Sequence, residues 1–470
     1  MESSDGTYFK EKSFFLRILF MKKKWDRIGY HLLRYFSLFL RKLPPTAAVR
    51  IGRALGELSY FLSSTKRKSV AYADIKAVLG PRFSEGQRRQ MIKRHYGYLG
   101  ELFADLLCFP NMTRETMRRT IRVHHESRYL NTLAENKGVI VITGHFGNWE
   151  LLQLVSNVYY DRPVHLIAAA QKHNLMNDFL NSLRSCHGSS VITRGRGMGI
   201  RAIFRVLKQN KVTGILGDQD AGKKGGIIVP FLGRKTTIPT GAFELALRTG
   251  APIFPCFLVR TDGPKHELFM AEPIWCRPAQ DSQLEIKQAL LKFVKLLEDM
   301  ILTFPEQWLW GVKRWKYSWT KRLLILSNGR SDSFEETQKV IDGFQKVQTQ
   351  YGRPGMEYPT QTIRVYFKSA WHKRLFPLFA VLFIPHAQGR LAWLKIFFKP
   401  ETQKALEKSS ADFVISDDPS LAPLNLCLAK DSKGKCIVTK KARFPFNLFS
   451  YDLAVPRAAD LSPEHLQKML

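Results

Sequence analysis

Acidic residues are scarce in this chain of 470: 40 Asp and Glu face 73 Lys and Arg, a formal net charge of +33. A surplus of that size points to an anionic partner. It is not gathered into a tail, since residues 1–70 hold fifteen basic against five acidic side chains and residues 326–470 twenty-one against fourteen. A nucleic-acid arm would concentrate the charge, so no nucleic acid is expected; the spread suits an anionic membrane surface or an acidic carrier protein. Paired cysteines are missing too. Cys108, Cys186, Cys256, Cys276, Cys427 and Cys436 are scattered without a C-x-x-C, which argues against a structural zinc site or a disulfide framework and suits a reducing compartment.

Long uncharged apolar runs are also absent. Phe14–Met21 is short for a signal peptide and leads into Lys22-Lys23-Lys24 in place of a small-residue cleavage site, so the body of the chain is expected to stay in the cytosol. From Trp25 to Leu43 the residues Ile28, Leu32, Tyr35, Phe36, Phe39, Leu40 and Leu43 recur at three- and four-residue steps, and Arg34 interrupts them. That pattern predicts an amphipathic helix lying in a membrane interface; the alternative is a helix packed on the globular body. Leu375–Pro385, with Pro377 inside it, is too short to span a bilayer and is read as core.

What is present is globular. Hydrophobic residues make up 45% and charged residues 24%, and the length allows two or three domains. Pro44-Pro45 closes the first segment, and helical patterns follow to Leu107 with a break at Gly80-Pro81. Val139–Thr143, Val212–Leu216 and Ile253–Val259 are continuous apolar runs, the mark of strands buried on both faces. Ile200–Lys208, Ala242–Arg248 and Leu284–Leu302 read as helices. The alternation predicts an α/β fold, a mostly parallel central sheet flanked by helices. The expected division is 1–45 as a membrane-associating segment, 46–326 as the main domain, a polar boundary at Ser327–Ser333, and 334–470 as an appended α+β region of unassigned role.

The strand at Val139–Thr143 runs into Gly144-His145-Phe146-Gly147-Asn148-Trp149-Glu150 and then a helical pattern. A histidine at the carboxyl end of such a strand stands where open α/β sheets place their sites. Glu150, five residues on, offers a carboxylate to orient the imidazole, so that its other nitrogen takes a proton from an acceptor hydroxyl. Spacing alone is weak, because twelve His and 40 acids give about one such match by accident. The second match, His173 with Asp178, lacks the strand and the glycines. A structural histidine is the plain alternative for His145.

Three ordered blocks, HFGNWE, then GDQDAGKKGGIIVPFLGRKTTIPTGAFELALRTGAPIFP, then PEQWLWGVKRWK, resemble the late acyltransferases of lipid A biosynthesis over about residues 25–320. The resemblance implies a glycerol-phosphate-acyltransferase-like fold at the cytoplasmic face of the inner membrane. It also implies transfer of a fatty acyl chain from acyl carrier protein to a hydroxyl of a lipid A precursor, the thioester being a co-substrate and no cofactor being needed. The family's H-x4-D/E motif falls on His145 and Glu150 as catalytic dyad, its arginine on Arg194, its aspartate on Asp218 and its P-E-Q-Y-x-W block on Pro305–Trp310. Where the family shows Asn after an early basic cluster, this chain has Asp74 behind Lys66-Arg67-Lys68. Other glycolipid acceptors, such as a phosphatidylinositol mannoside, and acyl-coenzyme A as donor fit the same pattern.

In that chemistry a tetrahedral oxyanion forms, and the amides around Gly147 and Asn148 or the guanidinium of Arg194 are candidate donors to it. Arg194 is also a candidate phosphate holder, whereas Arg196 is read as a solvated loop residue. Gly195–Gly199 fits neither a phosphate loop nor a dinucleotide fingerprint. Asp218-Gln-Asp220-Ala-Gly222 starts like a calcium loop but has Val229 where a terminal Glu is needed, so no metal is expected and Asp218 is assigned to orienting an arginine. Trp308, Trp310 and Trp315, interleaved with Lys313, Arg314 and Lys316, are read as a membrane-interface belt, with core as the alternative. No Ser or Cys nucleophile elbow is present, so no covalent intermediate is required. From a different class, a basic binder of anionic lipid or nucleic acid with an inert dyad accounts for the charge alone.

Overall fold

The computed structural model describes residues 26–438 and 453–454, apart from 64, 81, 170–174, 195–197, 223–224, 313, 316–317, 319, 329–337, 339–341, 344–345, 347–356, 384–393 and 417. These form two compact units interleaved along the sequence. The first takes the described residues up to Ser59, with Tyr96–Gln219 and Pro239–Trp308; the second takes Tyr60–His95, Asp220–Ile238 and the described residues from Leu309. Both cut across the 46–326 span expected from the sequence.

The first unit is built on seven strands: β1 (Ile121–His124), β2 (Val139–Thr143), β3 (Val164–Ala169), β4 (Ser190–Arg194), β5 (Val212–Leu216), β8 (Ile253–Arg260) and β9 (His266–Met270), in the order β1-β9-β8-β2-β5-β3-β4. All pairs are parallel except β8 with β9, so the sheet is mixed and mostly parallel, as the apolar runs predict. Every residue of β8 is buried. Helices cover the sheet, among them α7 (Trp149–Leu154), α8 (Leu175–Ser185), α9 (Met198–Lys208), α10 (Gly241–Thr249) and α11 (Ser282–Thr303). α11 opens on Asp281, whose carboxylate caps the amides of Gln283 and Leu284.

Residues 26–41 form helix α1. Leu33, Phe36 and Leu40 pack into the core of this unit, and Ser37 donates to the Leu107 carbonyl at 2.8 Å. The opposite stripe, Ile28, Leu32, Tyr35 and Phe39, is exposed. One face of the helix therefore packs on the body, the alternative reading from the sequence, and the other is exposed. No helix of the described residues is long and apolar enough to cross a membrane.

The second unit holds five parallel strands: β10 (Leu323–Ser327), β11 (Thr360–Arg364), β12 (Phe413–Ser416), β13 (Lys435–Val438) and β14 (Leu453–Ala454), ordered β11-β10-β12-β13-β14. An antiparallel hairpin of β6 (Ile227–Phe231) and β7 (Arg234–Ile238) also belongs to it. The order is the doubly wound one, which corrects the α+β expectation for 334–470. The strands are two to five residues long and show no regular alternation, so the sequence carries no sign of their direction. Of the stretch Leu375–Pro385, the described side chains, 375–380, are only partly core. In α12 (Ala370–Phe383), Phe376 and Ala380 are buried, whereas Trp371, Leu375, Leu378 and Phe379 are exposed.

Candidate active site

β2 is almost wholly buried and β-branched, and its parallel neighbours are β5 and β8. One more ladder bond, from the Gly217 amide to the Thr143 carbonyl at 2.8 Å, continues the β2–β5 pairing past both strands. It sets the residues after β2 beside those after β5. His145 and Asp218 meet there: Nδ1 of His145 lies 2.7 Å from Oδ1 of Asp218, and the two side chains are 14% and 0% exposed. Oδ2 of Asp218 accepts from the indole Nε1 of Trp308 at 3.0 Å. With Nδ1–H held by the carboxylate, Nε2 carries the lone pair. The amide nitrogen of Gln219 lies 3.5 Å from that nitrogen.

The loop that presents His145 is clamped from beneath. At Gly147 φ is +60°, and a Cβ there would fall 2.2 Å from the Leu258 carbonyl oxygen, so only glycine fits. A Cβ on Gly144 would press on Leu297 and on Asp218, at 3.0 and 3.2 Å. The Gly147 amide donates to the Gln307 carbonyl (2.9 Å) and that of Asn148 to the Leu258 carbonyl (2.7 Å). Gln307 grips β8 as well: its side-chain amide exchanges hydrogen bonds with the backbone of Arg260, at 3.0 and 2.8 Å. Trp308 forms a bridge with Phe146. The P-E-Q-W turn thus fixes the histidine loop through Gln307 and the aspartate through Trp308.

Under Asn148 lies a buried polar cluster. Its side chain caps α7 by accepting from the Leu151 amide (3.0 Å), and it donates to Asp105 (2.6 Å). Arg260 pairs with Asp105 and with Glu101 at 3.3 Å. Burial raises the carboxyl of Asp105 above its ordinary range, against the pull of Arg260. His266 donates through Nδ1 to the Pro264 carbonyl (3.0 Å), and burial with the charge of Arg260 holds its pKa well below the usual value, leaving Nε2 as a neutral acceptor 3.2 Å from the Asn148 amide nitrogen.

Several sequence expectations change here. Glu150 does not brace His145. It stands in the first turn of α7 and takes the fork of Arg184 from α8, with contacts of 2.6 and 2.8 Å. Asp218 occupies the bracing place and holds an imidazole and an indole, where an arginine had been expected. The backbone amides of Gly147 and Asn148 donate to the carbonyls of Gln307 and Leu258, and the Asn148 side chain is fully buried. Trp308, Trp310 and Trp315 are all buried, which overturns the interface belt. Interleaved lysines say nothing of where an indole points. Arg194 ends β4 opposite Ala169, but its side chain, like Arg196 and His173, lies outside the described residues. Arg184 had no signal in the sequence, and Gln307 was marked only as a member of the Pro305–Trp310 block.

The sequence profile described as "Bacterial lipid A biosynthesis acyltransferase" matches residues 21–317. The chain belongs to that family. Among its relatives, the lipid A biosynthesis palmitoleoyltransferase of Escherichia coli K12 is 25% identical over 280 residues, covering 58% of this chain and 87% of the relative. The lauroyltransferase of the same organism is 24% identical over 281 residues, with the same shares covered. The phosphatidylinositol mannoside acyltransferase of Mycolicibacterium smegmatis is 26% identical over 129 residues, or 27% of this chain and 41% of that one. The protein is an acyltransferase. All five strands of its second sheet, beginning at Leu323, lie beyond the matched stretch.

Proposed function

We propose that this acyltransferase moves a fatty acyl chain from acyl carrier protein to a hydroxyl of a lipid A precursor, with His145 as general base and Asp218 as the residue that orients it. The observation that carries the reading is the 2.7 Å contact of Asp218 with Nδ1 of His145, which leaves Nε2 as the basic nitrogen. Nε2 takes the proton of the acceptor hydroxyl as its oxygen attacks the thioester carbonyl. The tetrahedral intermediate then collapses, the C–S bond breaks, and the departing thiolate receives the proton from the imidazolium. Asp218 stabilises that imidazolium and keeps the working tautomer, the role an aspartate plays beneath a catalytic histidine elsewhere. Glu150 and Arg184 stiffen the α7–α8 junction beside the site. With the backbone amides committed, the oxyanion needs a side-chain donor, and Arg194, placed by its position at the end of β4, is the candidate; holding an acceptor phosphate is its other use.

A substrate of this kind is membrane-borne, and the exposed stripe of α1 suits the interfacial docking expected from the sequence, at the cytoplasmic face. The basic surplus suits attraction to anionic lipid and to an acidic carrier protein. The test is the mass shift of a lipid A precursor incubated with the protein and acyl carrier proteins of differing chain length. An addition of one acyl group with the native protein, lost with His145→Ala, is the expected result. Retained transfer in that variant refutes the base role, and transfer from acyl-coenzyme A alone refutes the donor.

A further inference from the structure

α12 of the second unit presents Trp371, Leu375, Leu378 and Phe379 at helical spacing, with exposures of 69%, 40%, 62% and 42%. Ile396 adds to the exposed apolar surface of this unit at 57%, and the ring of Phe379 lies 5.3 Å from that of Phe397, tilted by 50°. The other face of the helix is sealed: Phe376 and Ala380 are fully buried in the core with Leu394, Phe397 and Phe398. Bulky apolar side chains grouped on a surface mark a docking site more often than chance exposure.

The charge around this stripe says what docks. Between Glu357 and Glu401 the sequence contains no Asp or Glu at all, and seven Lys or Arg. Arg364, Lys368, Lys373, Arg374 and Lys399 of that set are exposed, and Lys395 reaches Glu407 at 3.5 Å. A second copy of this face would set like charge against like charge. An apolar stripe with tryptophan, rimmed by cations, fits the interface of an anionic bilayer. At fourteen residues the helix is about 21 Å long, short of the roughly 30 Å of a hydrocarbon core, so it is too short to cross one.

We infer that α12, which lies beyond the family's matched stretch, is a second membrane-docking element, by which the second unit binds anionic phospholipid. The inference rests on the proposed membrane-borne acceptor for its biological sense, but on residues separate from those of α1.

The experiment is flotation of the full chain with vesicles of phosphatidylethanolamine plus phosphatidylglycerol, and with phosphatidylcholine alone. Four proteins are compared: native, a Trp371→Ser/Leu378→Ser variant, a Leu32→Ser/Phe39→Ser variant, and the two combined. Removing two large interfacial side chains is expected to weaken partition to the anionic vesicles about tenfold or more, with the combined variant weaker than either and little binding to phosphatidylcholine. A fluorophore attached at Leu378→Cys, in a Cys186→Ser background, should shift its emission to the blue on adding anionic vesicles. Unchanged partition and emission for the α12 variants, with binding lost in the α1 variant, overturns this inference and spares the α1 reading. Loss confined to α12 overturns the α1 reading instead, and no effect in either overturns both. A self-association in lipid-free sedimentation that the α12 variant abolishes assigns the face to a second copy and also overturns the proposal.

Discussion

Both units bury charge beneath a parallel sheet, yet they bury it at opposite ends of their strands. In the first, Asp218, Asp105, Arg260 and Asn148 gather at the carboxyl ends of β2, β5 and β8, where the loops turn toward substrate. In the second, the charged groups precede the strands: Arg322 before β10 and Asp412 before β12, both half-buried. Arg234 pairs with Asp412 (3.3 Å), which also accepts from the Arg322 amide (2.9 Å). Deeper still, Lys76 of the helix Thr65–Leu79 pairs with Asp431 of the helix Ala422–Ser432, each side chain 1% exposed. Ligands of open α/β sheets bind at carboxyl ends. On the proposed function the first set serves chemistry, whereas the second holds helices to a sheet, and each substitution below should damage one property and spare the other.

The largest effect belongs to Asp218. Asp218→Asn keeps the shape but offers Nδ1 the wrong tautomer, and the expected loss in kcat is about 10³- to 10⁴-fold, with thermal stability little changed. Turnover within tenfold of native would move the bracing role elsewhere. Glu150→Gln provides the contrast: because its carboxylate meets Arg184 and not His145, the pH profile of kcat/KM should stay in place. Next comes the counterpart in the second unit. Lys76→Met leaves Asp431 buried without its cation, at a cost of about 3–5 kcal/mol, read by denaturant unfolding. Acyl transfer per folded molecule should stay near native, and a fall parallel to that of Asp218→Asn would erase the distinction between the units.

Trp308→Phe should act more weakly and on one property only. A phenyl ring fills most of the space, but the indole N–H that holds Oδ2 of Asp218 is gone, so the carboxylate is less firmly aimed at Nδ1 of His145. A fall of about tenfold in kcat with KM and thermal stability little changed is expected. A loss of thermal stability with native turnover per folded molecule would reduce Trp308 to a packing residue.

The histidine was legible in the sequence because a buried strand, two glycines and a helix start announce a sheet-end loop. Its partner was not. Asp218 stands 73 residues away on the next strand in space, and nothing along the chain records that β5 lies beside β2. Glu150 was the local alternative, and it fails because Arg184, 34 residues on, claims it. Strands β2, β5 and β8 were found nearly to the residue because they are apolar throughout. The second sheet was misjudged because its strands are short and separated by more than local patterning can bridge. The tryptophans misled because each indole was judged by its charged neighbours.

Asp74 gives the smallest and most particular test. Where the family pattern has Asn, this chain buries a carboxyl, and burial raises its pKa from 3.8 to about 7 against the attraction of Arg234 and Arg314, with Asp412 adding to the rise. Below about pH 4 the side chain is neutral folded and unfolded, and Asp and Asn should be nearly equal. As pH rises, the unfolded chain ionises first and the folded state, still protonated, loses ground. Stability therefore falls from about pH 4 to pH 7 and levels off above it. Asp74→Asn removes the titration. Because Asp74 keeps some exposure, the variant should gain only about 1–2 kcal/mol at pH 8 and almost nothing at pH 4. A difference that is the same at both pH values would mean that Asp74 stays ionised in the fold, paired with Arg234 and Arg314, and that the second unit pairs its buried charges as completely as the first.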